Sequence, residues 1–201
     1  MCSLHNNYHV IKYYFFVSKK DINTERFSAA LFNSYKNIFS MSFFDAKSGV
    51  LTSDEYLYDY LESLIPVIMS DTDNSYSFLM SHDDSILSRE ALKKMASGRG
   101  IHLINLADLL LNLAIEGDYD LVRMAKKQFA MVPRQLMVTA ESFLSCGLNA
   151  SLAAKKLYVH RNTFSYRLNQ FIEATNLDIR DFHNALFFNI LTKLSGNIRI
   201  N

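Results

Sequence analysis

The sequence predicts an α+β protein, with a small N-terminal α/β unit followed by an all-helical C-terminal half that contains a helix-turn-helix. Three observations predict it. Apolar, aromatic and β-branched runs of strand length alternate with helical spacing over the first hundred residues, the pattern of a small α/β unit. After Gly98-Arg99-Gly100 the strand-like runs stop and helical spacing alone continues. The 201 residues include only 6 Gly and 2 Pro, against roughly 12% Gly plus Pro in an average chain, which disfavours a turn-rich β-sandwich and favours helices with few breaks.

The elements follow in order. Val10 to Val17 (VIKYYFFV) has the length and composition of a buried strand. Asn23 or Thr24 caps a helix to about Ile38, with Phe27, Leu31 and Tyr35 at i, i+4 and i+8. Phe39 to Asp45 reads as a second strand and Lys47-Ser48-Gly49 as a turn. Ser53 opens a helix whose apolar positions are Leu57, Leu61, Leu64 and Ile65, with Pro66 inside it or at its end. Asp71 to Asn74 forms a loop, and Tyr76 to Met80 a strand. Beyond residue 100, Asn105 to Glu116 is an apolar helix closed by Gly117. A helix from Asp118 to about Ala130 and another from Pro133 to Gly147 follow, the latter marked by Leu136, Phe143 and Leu144. The expected organisation is 1–100 as an α/β domain, 101–133 as a helical connector and 134–201 as the functional helical domain.

Charge is segregated along the chain. The net of +1 divides into −3 for residues 1–133 (13 Lys+Arg, 16 Asp+Glu) and +4 for residues 134–201 (8 Lys+Arg, 4 Asp+Glu). No acid occurs from Ser142 to Ile172, a window that holds Lys155, Lys156, Arg161 and Arg167. Such asymmetry points to an anionic partner at the basic end. Cys2 and Cys146 are the only cysteines, too few for a disulfide framework or a C-x-x-C site. The N-terminal apolar run is interrupted by Lys12 and has no basic segment before it, so it does not read as a signal peptide. No run of 18 apolar residues exists. A cytoplasmic location with no membrane association is expected.

The informative stretch is Asn149 to Phe171, NASLAAKKLYVHRNTFSYRLNQF. Asn149 or Ser151 caps a short helix through Leu157. Ala153 and Ala154 are small enough for a second helix to cross closely. Tyr158-Val159-His160 connects to a helix starting at His160 or Arg161, and so short a connection reads as a helix-turn-helix. At about 100° per residue, Phe164, Leu168, Phe171 and Ile172 form the core stripe. The opposite face carries Asn162, Tyr166 and Asn169, flanked by Thr163, Ser165 and Gln170, with Arg161 at the helix start and Arg167 at the edge. Amides, hydroxyls and guanidinium groups are those that read base edges and bind phosphates. Arg161, Asn162, Thr163, Ser165, Tyr166 and Asn169 are therefore expected to contact DNA. Lys155, Lys156 and Arg167 are expected to hold phosphates, and His160 to contact DNA or cap the helix.

The segment AAKKLYVHRNTFSYRL (153–168) resembles the C-terminal helix-turn-helix of PucR/CdaR-type bacterial transcriptional regulators, a Fis-like helix-turn-helix. That family's pattern is a small-residue pair followed by Leu-x-Val-His-Arg-Asn-Thr-Leu-x-Tyr-Arg-Leu, and Phe164 stands here at its usual second Leu. The likeness runs from about Val138 to Leu194, including Thr175 to Ile179 and the apolar helix Phe182 to Leu194. It implies a sequence-specific DNA-binding transcriptional regulator whose recognition helix, about 161–172, enters the major groove of double-stranded DNA. Residues 101–135 resemble the family's helical lead-in. Residues 1–100 stand where family members carry a sensory or GGDEF-like domain, which brings in an unidentified small-molecule effector.

A homodimer is expected because one short reading helix makes too few base contacts, and paired half-sites double them. In the last helix Phe182, Leu186, Phe187, Phe188, Ile190, Leu191 and Leu194 are mostly core, with a dimer interface as a second reading. Other chemistries fail on the residues. His82-Asp83-Asp84 reads as surface polarity rather than a metal site. Asp71-x-Asp73-x-Ser75 lacks the Gly and Glu of a calcium loop, and no phosphate-loop, dinucleotide or nucleophile-elbow motif is present. No enzyme activity, metal or cofactor is expected. The alternative is a protein-interaction module, or a small-molecule sensor, carrying a vestigial helix-turn-helix.

Overall fold

The structure is a computed structural model and describes residues 11–34, 38, 40–97 and 101–197. It is an α+β chain that divides into two compact units: residues 1–84 with 92–104, and residues 85–91 with 105–201.

The first unit is built on a five-stranded sheet of order β2-β3-β1-β4-β5. Its elements are β1 (Lys12–Ser18), α1 (Thr24–Ser34), β2 (Ser40–Phe43), β3 (Ser48–Ser53), α2 (Tyr58–Thr72), β4 (Tyr76–Ser81) and β5 (Leu103–Asn105). Central β1 pairs antiparallel with β3 on one side and β4 on the other, so Phe16 lies opposite Gly49 and Phe78. Phe27 and Leu31 of α1 and Leu61, Ile65 and Ile68 of α2 join Tyr14, Phe16, Leu51 and Phe78 in one buried cluster. Phe27 stacks on Tyr76 with ring centroids 4.9 Å apart. Aromatic density compensates for the modest size of this core, since such rings bury large areas each.

Several expectations need correction here. The turn does not sit at Lys47-Ser48-Gly49. Asp45 makes it: its carboxylate accepts the N–H groups of Lys47 (2.7 Å) and Ser48 (2.8 Å) and the Ser48 hydroxyl (2.8 Å). These bonds, the one from Lys47 foremost, hold the Asp45 carboxyl below its ordinary pKa of 3.8. Gly49 belongs to β3, where a Cβ would collide with the Ser42 carbonyl oxygen and the Phe16 ring, so glycine marks close approach rather than a turn. Helix α2 starts at Tyr58, not at Ser53, and runs through Thr72, shortening the expected loop. Pro66 lies inside it on the exposed face, where water can satisfy the carbonyl that its missing N–H leaves. Strand β5 continues the sheet beyond residue 100, where helices alone were expected. Helix α1 ends before Ile38; residues 35–37 lie outside the described residues, as do Val10 and Gly98 to Gly100.

Helix α3 (Ile86–Ser97) was not anticipated. Its buried positions Leu87, Ala91, Leu92 and Met95 do carry helical spacing. His82 and Asp83 are not surface polarity. Both are buried, with His82 Nε2 3.6 Å from Asp83 Oδ2. Burial lowers the His82 pKa below its ordinary 6.5, opposed by the Asp83 charge.

The second unit contains α4 (Leu106–Ile115), α5 (Asp120–Phe129), α6 (Arg134–Ser145), α7 (Ala150–Lys156), α8 (Arg161–Thr175) and α9 (Phe182–Asn197). Asn105 caps α4 by accepting the Asp108 N–H (2.9 Å) and donating to its carboxylate (2.7 Å). Asp181 caps α9 by accepting from the N–H groups of His183 and Asn184. Phe129, Phe171 and Phe188 join α5, α8 and α9, with the last two centroids 5.1 Å apart. Phe143 of α6 meets Phe164 of α8 at 6.1 Å. Helix α9 buries Ala185, Phe187, Phe188 and Leu191 but leaves Phe182 65% exposed, and Leu186, Ile190 and Leu194 are half-buried, so less of it is core than expected. Among the described residues no helix is long and apolar enough to cross a membrane.

Candidate nucleic-acid interface

Helices α7 and α8 form the helix-turn-helix. Asn149 is the cap of α7, its side chain accepting the Leu152 N–H at 3.0 Å. Ala153 and Ala154 are fully buried where α7 crosses α8, and their single methyl groups permit the close crossing. His160 caps α8: the Asn162 N–H donates to its Nδ1 (3.2 Å). Nδ1 is the acceptor of this bond, which leaves Nε2 as the nitrogen able to donate outward. His160 thus serves as the cap, and its side chain is exposed.

Helix α8 runs to Thr175, three residues past the expected end, and closes on Asn176 in the left-handed region. Its first turn carries no acid. Phe164, Leu168 and Phe171 are buried as the spacing predicts, while Ile172 is only half-buried. Arg161, Asn162, Thr163, Ser165, Tyr166 and Asn169 are all exposed. At about 100° per residue Asn162, Tyr166 and Asn169 lie opposite the core stripe with Thr163 and Ser165 on their flanks, while Arg161 is exposed as the first residue of the helix. Tyr166 is 64% exposed, and its hydroxyl accepts from Gln170 Nε2 at 3.0 Å, which holds the phenol along the helix.

The cations divide into three settings. Lys155 is exposed on α7. Lys156 is exposed but donates to the Ser145 hydroxyl at 2.8 Å. Arg167 is half-buried and lines a cleft of about 420 Å³ together with Arg134, Gln135, Val138, Thr139 and Leu157. Arg134, in the first turn of α6, was not among the expected site residues. Sequence distance hid it: 33 positions separate it from Arg167. No carboxylate lines the cleft.

Tyr158 was missed as well. It is 97% exposed at the tip of the turn and has a φ of 53°. An aromatic in the turn, two residues after Lys155-Lys156, was the signal available in the sequence.

Helices α6 and α9 also enclose a groove of about 440 Å³. Leu144, Leu148, Phe182, Ala185 and Leu186 supply its apolar walls, with Glu141 on α6 and Lys193 on α9.

Comparison with known proteins adds the following. Residues 136–192 match the PucR C-terminal helix-turn-helix domain. The uncharacterized protein YxkF of Bacillus subtilis (strain 168) is 40% identical over 52 residues, 26% of this chain and 18% of that protein. The proline-responsive transcriptional activator PutR of the same organism is 38% identical over 48 residues, 24% of this chain and 12% of that protein. The matched segments thus span less than a fifth of either relative. A crystal structure of a regulator of polyketide synthase expression from Bifidobacterium adolescentis aligns over 94% of this chain and 82% of that one, at 16% identity and a TM-score of 0.44.

Proposed function

We propose, from the PucR C-terminal helix-turn-helix domain at residues 136–192, that this chain is a sequence-specific DNA-binding transcriptional regulator. One observation carries the proposal: from Arg161 to Ile172 the outward face of α8 is polar, exposed and free of acids, the first being Glu173 in the last turn, inside a matched helix-turn-helix. PutR, a transcriptional activator, is 38% identical over 48 residues and lends support. In this reading α8 enters the major groove. Arg161, Asn162, Thr163, Ser165, Tyr166 and Asn169 meet bases and nearby phosphates, while Lys155, Lys156 and Arg167 hold the backbone. The reading assigns the chain no catalytic step.

The functional species is a homodimer, because two half-sites one helical turn apart supply the contacts one helix lacks. The α6–α9 groove is the surface offered to the second copy. Glu141 and Lys193 sit on its two walls, and neither has an ion-pair partner among the described residues. A two-fold axis through the groove exchanges the walls and brings each Glu141 to the other copy's Lys193. The exposed Phe182 ring beside the apolar hollow gives the same patch both knob and hole, as an isologous interface requires.

Fluorescence anisotropy with duplexes selected from a random-sequence pool tests the function. Wild-type protein is expected to bind and to prefer a selected sequence. The Arg161→Ala, Asn162→Ala double variant is expected to lose that preference. Binding that ignores both the substitutions and the salt concentration overturns the assignment.

A further inference from the structure

Three helices of the second unit end in the same hydrogen-bonding motif. At the end of α4 the Gly117 N–H donates to the Ala114 carbonyl (3.1 Å) and Asp118 to Leu113 (2.8 Å). At the end of α6 Gly147 donates to Leu144 (3.0 Å) and Leu148 to Phe143 (3.0 Å). At the end of α7 Tyr158 donates to Lys155 (3.1 Å) and Val159 to Ala154 (3.1 Å). This double closure puts the residue just past the helix in the left-handed region, where glycine has no steric cost and asparagine a small one. Two of the three ends place glycine there, with φ of 85° at Gly117 and 63° at Gly147; Leu148, which follows Gly147, is left-handed too at 60°, but its side chain is half-buried in the wall of the α6–α9 groove. The third places Tyr158 there, at φ 53°.

Nothing in the free chain repays that choice. The Tyr158 side chain is 97% exposed, so its ring covers no core. Its hydroxyl has no hydrogen-bond partner among the described residues. A strained residue that contributes no packing marks a position held for a contact with something else. Its neighbours say what: Lys155, Lys156, His160 and Arg161 surround it in sequence, within the acid-free window 142–172.

We propose that Tyr158 is a DNA-backbone contact: its ring lies along a sugar and its hydroxyl donates to a phosphate oxygen. Tyrosine is among the side chains that hydrogen-bond the backbone and set register on a duplex. The position, at the hinge between the two helices, fixes how far α8 enters the groove. This inference rests on the DNA-binding reading above and adds to it a residue outside the reading helix.

The test measures stability and affinity on the same full-length variants, using a mixed-sequence 40-base-pair duplex as the probe. Tyr158→Gly and Tyr158→Asn are expected to raise Tm by about 2–5 °C, since they relieve the left-handed strain. The same variants are expected to bind the duplex about three- to tenfold more weakly, with an unchanged salt slope because no counterion-releasing charge is lost. Tyr158→Phe keeps the wild-type Tm and loses part of the affinity. Unchanged affinity in the Gly and Asn variants overturns the contact, and full affinity in Tyr158→Phe overturns the hydroxyl's share. Affinity and Tm falling together mark a purely structural residue and also overturn it. Wild-type protein that binds no duplex overturns instead the DNA-binding reading, so the two failures are told apart.

Discussion

Arg134 and Arg167, 33 positions apart, face one open cleft between the first turn of α6 and the flank of α8. Neither forms an ion pair among the described residues. Two guanidinium groups on shared walls repel unless an anion lies between them, and in the proposed DNA complex a backbone phosphate is that anion.

Arg134→Ala is therefore expected to weaken binding to all duplexes about equally and to leave sequence preference intact. With Lys155, Lys156, Arg161 and Arg167 on phosphates, the slope of log affinity against log salt is about −3 to −4 per subunit, and Arg134 steepens it by about 1. Anisotropy titrations between 50 and 200 mM salt measure the difference, as round laboratory values spanning roughly the range over which phosphate contacts are lost. An unchanged slope in Arg134→Ala removes it from the interface.

Stability and recognition separate on neighbouring residues. Asn149→Ala deletes the cap of α7 and is expected to cost about 1 kcal/mol of unfolding free energy. Arg161→Ala, an exposed side chain at the start of α8, is expected to change stability by less than about 0.5 kcal/mol while impairing duplex binding. Urea denaturation of both variants beside the binding titration shows whether the two effects divide in this way.

Stability should depend on pH through His82. Its folded pKa is depressed, by burial first, below the ordinary 6.5. The unfolded chain then binds the proton more readily, so His82 supports the fold fully above pH 6.5 and that support is lost as pH falls below it. Asp45 and Asp73, whose pKa values are also lowered from 3.8, act only in a more acidic range. The urea midpoint is expected to drop between pH 7.5 and 5.5, about one unit either side of the ordinary histidine pKa. A midpoint that stays level across that interval contradicts the burial of a neutral His82.

The groove between α6 and α9 makes a prediction that only a two-fold dimer satisfies. Glu141→Lys alone, or Lys193→Glu alone, sets like charges against each other twice per dimer. Exposed pairs are worth about 0.2–1 kcal/mol each, so each variant is expected to dimerise on the order of tenfold more weakly. Mixing the two variants restores both pairs in the heterodimer. Sedimentation equilibrium of each protein and of the mixture decides, and variants that dimerise like wild type place the interface elsewhere.

The helix-turn-helix was legible because its determinants are local. A cap at Asn149, small residues at Ala153 and Ala154, and a stripe of Phe164, Leu168 and Phe171 all lie within a few turns, and the structure buries or bonds each as the spacing requires. The first unit was less legible. Gly49 looks like a turn residue until β1 and β2 approach it, and Asp45 closes the turn through bonds that composition does not display. The three-residue strand β5 exists through pairing with a neighbour far back in the chain.

The sequence by itself determined the type of C-terminal domain, the polar face of α8 and the placing of cations in an acid-free window. These follow from helical periodicity and capping, which act over about four residues. The tertiary structure alone decided that His82 is buried, that Arg134 joins Arg167, and that Glu141 and Lys193 share a groove. Those facts depend on which distant segments pack together, and no local period encodes that.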